Sequence, residues 1–281
     1  MPTAYHRRMQ DDAEAIRIRF EAAARMAREA GDLTLRRFQV RIREGEIKHD
    51  GTVVTIADRE AESLLREAIT REFPEDAILG EEFGETTGTT AFRWVLDPID
   101  GTASFVHGVP LYGTLVAVER QDAGGPRSVV GVIYMPGLRE MVAAADGLGC
   151  LHAPGPGRLA RPARVSRTAS LAEATLVTTS VDYFAKHDRQ GVFLEAVSRF
   201  QYSRGWSDCY AHVLVATGRA DVCIEPTLAP WDAAPLPVIM REAGGMYSGW
   251  DGRETAHAPD GVSSNGLLHA EVLALLGSGS A

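Results

Sequence analysis

Six acidic residues stand where predicted strands end or helices begin: Asp58, Glu81 and Glu82, Asp97 and Asp100, and Asp232. Strand ends and the loops that follow them are where folds build sites. The run Trp94-Val-Leu-Asp-Pro-Ile-Asp-Gly-Thr102 brings two carboxylates three residues apart, with Pro98 restricting the backbone between them. Anions held that close repel unless a cation joins them. Oxygen donors with no Cys or His cluster nearby suit Mg²⁺ or Mn²⁺ rather than Zn²⁺. If a helix opens at Gly101-Thr102, its free N–H groups could hold a phosphate beside the ions, with Gly101 permitting close backbone approach. Thr102 is placed to orient a water, and Asp58, if folded beside it, to accept the hydroxyl proton. Together these groups spell metal-assisted transfer of a phosphoryl group to water, without a covalent nucleophile.

Each residue taken singly has a plainer reading. Glu81-Glu82 is a solvated turn, Asp97 to Asp100 a turn with a helix cap, and Asp58 and Asp232 are N-caps. It is the set that favours chemistry. A glycosidase using paired carboxylates stays open, although it needs no Asp-Gly-Thr anion cradle. His107 and His212 read as structural histidines, Lys48 as a solvated loop residue, and Gly244-Gly245 as a helix stop.

The elements that must position these acids follow from hydrophobic periodicity. Asp11 to Phe38 reads as one long helix weakened at Gly31, or two consecutive ones. A short β-branched strand at Thr52–Ala57 precedes a helix with the stripe Ala61, Leu64, Leu65, Ala68, Ile69, which Pro74 ends. Strands are expected at Ala77–Gly80, Phe92–Asp97, Tyr112–Glu119 and Ser128–Met135. The Pro-, Gly- and Arg-rich stretch from Pro154 to Arg167 reads as the passage between two halves. Beyond it come a strand at Ala174–Ser180, helices at Asp188–Phe200 and Asp208–Thr217, a strand at Asp221–Glu225, a helix at Trp231–Ala243 and a strand near Met246. The expected architecture is α/β in two lobes: residues 1–150 forming an α+β lobe with most of the metal ligands, and 151–281 an α/β lobe with the last ligand and the substrate-selecting residues.

With 281 residues, 45% of them hydrophobic, the chain has ample material for a core, which excludes disorder. Its net charge of −9 argues against a polyanionic partner such as nucleic acid, and makes a bound cation the natural means of attracting an anionic substrate. Cys150, Cys209 and Cys223 form no CxxC pair and cannot all pair within one chain, which suits a reducing, cytoplasmic setting. No stretch approaches the length of apolar chain a membrane span needs, and no export signal is evident.

The ordered set Val54-Thr-Ile-Ala-Asp58, Gly80-Glu-Glu-Phe-Gly84, Trp94 to Thr102 with Phe105-Val-His107, Pro230-Trp-Asp232 and Glu242-Ala-Gly-Gly245 resembles the inositol monophosphatase-like family of Mg²⁺-dependent, lithium-sensitive phosphatases. The resemblance implies an αβαβα layered sandwich, dimeric assembly and hydrolysis of small phosphate monoesters. It makes Glu81, Asp97, Asp100 and Asp232 side-chain ligands of two or three Mg²⁺ ions, for which Mn²⁺ can substitute, with the Ile99 carbonyl as a further ligand. Asp58 and Thr102 become the water-activating pair, Glu82 a member of the surrounding network, and Gly101 and Thr102 backbone donors to the phosphate. Glu225 falls where the family meets the substrate's alcohol portion.

Within that family, Ser207-Asp-Cys-Tyr-Ala211 is similar to the Gly-Asp-Cys-Tyr stretch of histidinol-phosphate phosphatases, as are Leu111-Tyr-Gly-Thr-Leu115 and Thr178-Thr-Ser180. Histidinol phosphate carries an amine and an imidazole that Asp208 and Glu225 could hydrogen-bond, whereas inositol offers hydroxyls alone. The chain departs from that branch at Ser207, where Gly is usual, and at Trp231, where Tyr is common. The implied activity is hydrolysis of L-histidinol phosphate in histidine biosynthesis. Inositol-1-phosphate hydrolysis, or a metal-binding homologue without turnover, are the alternatives.

Overall fold

A computed structural model describes residues 4–38, 46–47 and 53–278; Lys48 lies outside them. Helix α1 (Ala4–Leu35) runs unbroken through Gly31. The glycine is required by packing, since a Cβ there would lie 2.5 Å from the Tyr134 ring. A two-stranded ribbon, β1 (Glu46–Ile47) with β2 (Val53–Val54), leads into α2 (Ile56–Glu72). Thr55 caps α2: its hydroxyl accepts from Ala57 N–H (3.1 Å), while the Asp58 carboxylate accepts from Thr55 N–H (2.8 Å).

The first sheet comprises β3 (Ala77–Gly80), β4 (Gly84–Thr86) and β5 (Phe92–Asp100), then, after the short α3 (Thr102–Val106), β6 (Gly113–Asp122), β7 (Gly125–Met135), β8 (Glu140–Ala145), β9 (Gly149–Ala153) and β10 (Arg161–Pro162). Its order is β10-β9-β8-β7-β6-β5-β3-β4, with β3 and β5 parallel. The boundary expected at residue 150 falls inside β9; pairing of β10 with β9 carries this sheet on to Pro162. Its central strands are buried on both faces, which is why they read as continuous apolar runs. Trp94, Leu96, Val116, Val132 and Tyr134 meet α1 and α2, while Val95, Leu115, Ile133 and Met135 face the opposite way. Asp76 pins this arrangement, accepting from Arg19 Nε (2.8 Å) and from the buried Trp94 Nε1 (2.9 Å).

The second sheet contains β11 (Thr175–Thr178), β12 (Tyr202–Gly205), β13 (Val222–Glu225), β14 (Met246–Ser248) and β15 (Gly261–Ser264), ordered β12-β11-β13-β15-β14. Helices α4 (Val181–Lys186), α5 (Gln190–Arg199) and α9 (His269–Ser278) belong with its outer face, where Phe184, Phe193 and Val272 pack on Leu176, Val222 and Val262. Helices α6 (Asp208–Ala216) and α8 (Leu236–Ala243) fill the space between the sheets. Val213, Leu214, Leu236 and Met240 join Val95, Ile133 and Cys223 in one core that spans both halves of the chain. The layers are therefore αβαβα. The single helix expected over Trp231–Ala243 is split into α7 (Pro230–Ala233) and α8, with Pro235 and Pro237, which lack N–H donors, at the junction.

Candidate active site

The two parallel strands of the first sheet end side by side, and the acids stand just beyond. Alternation along β5 puts Asp97 on the same face as Val95, toward the helices between the sheets. The register of β5 against β6 then slips between Asp97 and Asp100. Pro98 lies in that slip, its carbonyl accepting from the buried Thr114 hydroxyl (2.9 Å). Such a bulge re-aims the residues after it and brings Asp100 round beside Asp97. Asp97 stabilises the turn by accepting from Ile99 N–H (3.0 Å). Glu81 follows β3 directly, and its N–H donates to Leu96 O (3.2 Å) on the neighbouring strand. From the second half, α7 presents Asp232, which accepts from Ala229 N–H (2.9 Å).

Carboxylate oxygens of Asp97, Asp100 and Asp232 lie within 4.8 Å of one another. They line a cleft of about 670 Å³ together with Glu81, the Ile99–Ala103 turn, Asp208 and Trp231. Burial pushes Asp97 and Asp100 well above the usual carboxylate range, and neighbouring carboxylates push them further. Burial likewise pushes Asp232 to about 7. Among the described residues no Arg or Lys bonds these three side chains. A cluster of hard oxygen donors with no cationic side chain bonded to it among the described residues fits a divalent metal.

Gly101 adopts the left-handed conformation (φ 84°) and opens α3. The Thr102 hydroxyl donates to the Ile99 carbonyl (3.1 Å), not to Asp58. Asp58 is itself buried and engaged with Thr55 N–H and Oγ1 (2.8 and 2.5 Å), so the expected direct hydroxyl relay between Asp58 and Thr102 is absent here. Burial raises Asp58 to about 7, and the charges of Glu82 and Glu81 add to the shift. Neither Asp58 nor Glu82 is part of the cleft lining.

The far wall joins both lobes. Asp100 accepts from Cys209 N–H (2.5 Å) at the start of α6. Asp208 faces Gly101 so closely that a Cβ on the glycine would lie 2.8 Å from its Oδ2. Ser207 and Asp208 both have positive φ (43° and 46°), a strained conformation held by the Ser104–Ser207 hydroxyl contact (2.8 Å) and by Asp208 N–H donating to Thr179 Oγ1 (3.1 Å). Glu225 is buried outside the cleft lining, its Oε1 accepting from Thr179 N–H (2.6 Å) and Oγ1 (3.1 Å), and Thr179 itself faces the cleft. The direct substrate contact expected of Glu225 is thus screened by Thr179. His212 is buried, as its structural reading required, with Nδ1 on Ser263 Oγ (2.8 Å); burial pushes it down to about 3, so its ring is neutral.

Some participants were invisible in the sequence. Glu62 is fully buried, and its carboxylate accepts from Glu82 N–H (2.7 Å), Phe83 N–H (3.2 Å) and Arg66 Nε (2.7 Å). It therefore anchors the turn that carries Glu81. Removing one partner of such a pair leaves the other stranded, and Glu62→Ala should destabilise the fold by about 3 kcal/mol in urea titrations. Wild-type stability would show that the turn holds itself. Tyr183, Lys186 and His187 also reach the cleft, from α4 and its C-terminal end, and no pattern announced them.

Acids converging beside a glycine turn, in a five-layer sandwich, are the arrangement expected of a metal-dependent hydrolase of phosphate esters. The inositol monophosphatase family model matches residues 16–279. A histidinol-phosphatase of Chlorobaculum parvum is 38% identical over 264 residues, covering 92% of this chain and 96% of that protein. One from Mycobacterium tuberculosis is 39% identical, covering 92% and 97%. Among solved structures, the Thermotoga maritima IMPase superposes with a TM-score of 0.78 at 30% identity, covering 94% of this chain and 97% of that one. The chain belongs to the inositol monophosphatase family, whose members are metal-dependent. It is a phosphoric monoester hydrolase.

Proposed function

We propose that the chain hydrolyses L-histidinol phosphate to L-histidinol and inorganic phosphate, as a step of histidine biosynthesis, using Mg²⁺ held by Glu81, Asp97, Asp100, Asp232 and the Ile99 carbonyl. The observation that carries the substrate assignment is Asp208. With the other four acids of the lining given to two or three Mg²⁺ ions, or to Mn²⁺ in their place, Asp208 is left to meet a cationic group beside Gly101. An ammonium supplies that charge and an inositol ring does not. Relatives of 38% and 39% identity that carry the histidinol-phosphatase name support the same reading.

When bound, the ions neutralise the phosphoryl oxygens and make water a stronger acid. Gly101 and Thr102 offer backbone N–H groups to the phosphate. Thr102, its hydroxyl hydrogen committed to Ile99 O, has its oxygen lone pairs free to accept from the attacking water and so to orient it. The water oxygen forms the new bond to phosphorus as the ester P–O bond breaks. Asp58, with a pKa near 7, is tied to Thr55 behind the lining, so the water's proton would reach it only through an intervening water, with Glu82 tuning it; the departing alkoxide would take a proton from solvent to become the alcohol. Glu225, through Thr179, holds the wall that the alcohol portion meets.

Phosphate release from histidinol phosphate should exceed that from inositol-1-phosphate at equal concentration, and Asp208→Asn should raise KM for histidinol phosphate by about tenfold with a smaller effect on kcat. Preference for the inositol ester, or an unchanged KM, would overturn the assignment. No helix among the described residues is long and apolar enough to cross a membrane. The proposed working form is a cytoplasmic homodimer with its site in the cleft of each chain.

A further inference from the structure

Behind the cleft wall lies a second group of metal-binding side chains with different chemistry. His212 on α6 and Cys223 and Glu225 on β13 are all buried, and one donor atom from each lies within 4.8 Å of the others. We propose that His212, Cys223 and Glu225 form a site for a thiophilic divalent cation of the Zn²⁺ class, separate from the oxygen-donor cluster, and that its occupation antagonises use of the cleft.

The distances suit such an ion. Cys223 Sγ is 3.4 Å from Glu225 Oε1 and 3.8 Å from His212 Nε2. Tetrahedral zinc, with bonds of about 2.3 Å to sulfur and about 2.0 Å to nitrogen or oxygen, sets the sulfur roughly 3.5 Å from each of those donors. The charges also close: one thiolate, one carboxylate and a neutral imidazole cancel a divalent ion, so the filled site carries no net charge in a buried setting. Magnesium gains nothing from sulfur, and an all-oxygen site offers zinc no thiolate, so the two clusters sort the two kinds of ion.

The surroundings are those of a ligand set rather than a chance meeting. His212 Nδ1 is paired with Ser263 Oγ (2.8 Å), which leaves Nε2 toward Cys223. The Glu225 carboxylate is oriented by Thr179 N–H. Partners of this kind fix a ligand's tautomer and direction. Cys223, Ser263 and Tyr247 stand in register across β13, β15 and β14, on one face of the sheet. The Tyr247 hydroxyl is buried without a hydrogen-bond partner among the described residues and lies over Gly261, the register partner of Glu225. An orphaned hydroxyl at this spot is what an open fourth coordination position would engage through its own ligand. His212 lines the cleft, and the bond of Glu225 to Thr179 links the site to the wall proposed to receive the substrate.

The test is Co²⁺ added to the full chain in saturating Mg²⁺. One equivalent should produce an intense near-ultraviolet thiolate-to-cobalt band, which oxygen donors alone cannot give. Cys223→Ser should abolish the band and Cys150→Ser should keep it. Ser263→Ala, which removes only the hydroxyl that orients His212, should weaken cobalt binding by about 10- to 100-fold. Zn²⁺ should then inhibit phosphate release at concentrations that fill the site, and Cys223→Ser should resist it. Absence of the band, or its loss in Cys209→Ser but not in Cys223→Ser, overturns the proposal. The optical readout does not depend on which ester is hydrolysed, so it stands or falls apart from the substrate assignment.

Discussion

Asp97→Asn should lower kcat at saturating Mg²⁺ by about a thousandfold, with Asp232→Asn close behind, because each forfeits several kcal/mol of charge stabilisation in the transition state. Neither variant should unfold. In the metal-free protein both carboxyls sit among like charges in a buried place, so replacing one with a neutral amide relieves repulsion. The metal-free Tm of each variant should therefore equal or exceed that of the native chain, while the rise in Tm on adding Mg²⁺ shrinks. Activity and stability moving in opposite directions is the signature of a ligand rather than of a structural acid. Near-native turnover in both variants would remove the metal assignment, and loss of fold would recast these residues as scaffolding.

The second large effect is the pH dependence of stability without metal. Burial raises Asp58 and Asp232 from the ordinary 3.8 to about 7, and Asp97 and Asp100 are raised as well. The folded chain thus binds protons more tightly than the unfolded chain at these positions. Their stabilising contribution is complete below about pH 4 and is lost as pH rises through about 7. Metal-free protein, stripped with chelator, should have a Tm on the order of 10 °C lower at pH 8.5 than at pH 5. Mg²⁺ at pH 8.5 should restore most of it, because binding requires the same carboxyls to be ionised, and its apparent affinity should fall as pH drops below 7. A metal-free Tm that is flat or rises between pH 5 and 8.5 would mean that the acids do not crowd together as described.

The acids were legible because each one breaks a pattern. Asp97 and Asp100 interrupt an apolar run that periodicity marks as a buried strand, and Glu81 follows Ala-Ile-Leu-Gly in the same way. A charge at such a point needs a reason, and chemistry is a common one. Glu62 breaks nothing: on a helix rich in Arg and Glu it reads as a solvated surface residue, and its burial arises where the Glu82–Phe83 turn folds over it. Strand β8 went unread because Met-Val-Ala-Ala-Ala has no alternation; both faces of β8 are buried, so there is no polar side to mark it. His212 reads as structural, Glu225 is expected to face the substrate's alcohol portion, and Cys223 carries no expectation beyond a reduced thiol; their meeting depends on α6 lying across β13, which local sequence does not encode. Asp58 and Thr102 do not bond each other for a similar reason: each has a nearer partner within its own turn, Thr55 for one and Ile99 for the other.

One hydrogen bond sets a limit on how this enzyme can be re-tuned. Cys209 N–H, adjoining the residue proposed to choose the alcohol, donates to Asp100, which is proposed to hold an ion. Transplanting the 207–211 segment from a relative with another preference would shift that donor, and the grafted protein's metal dependence would move along with its taste in substrates. If both proposed roles hold, selectivity and cation dependence are wired in series, and neither can drift during divergence without the other being re-adjusted.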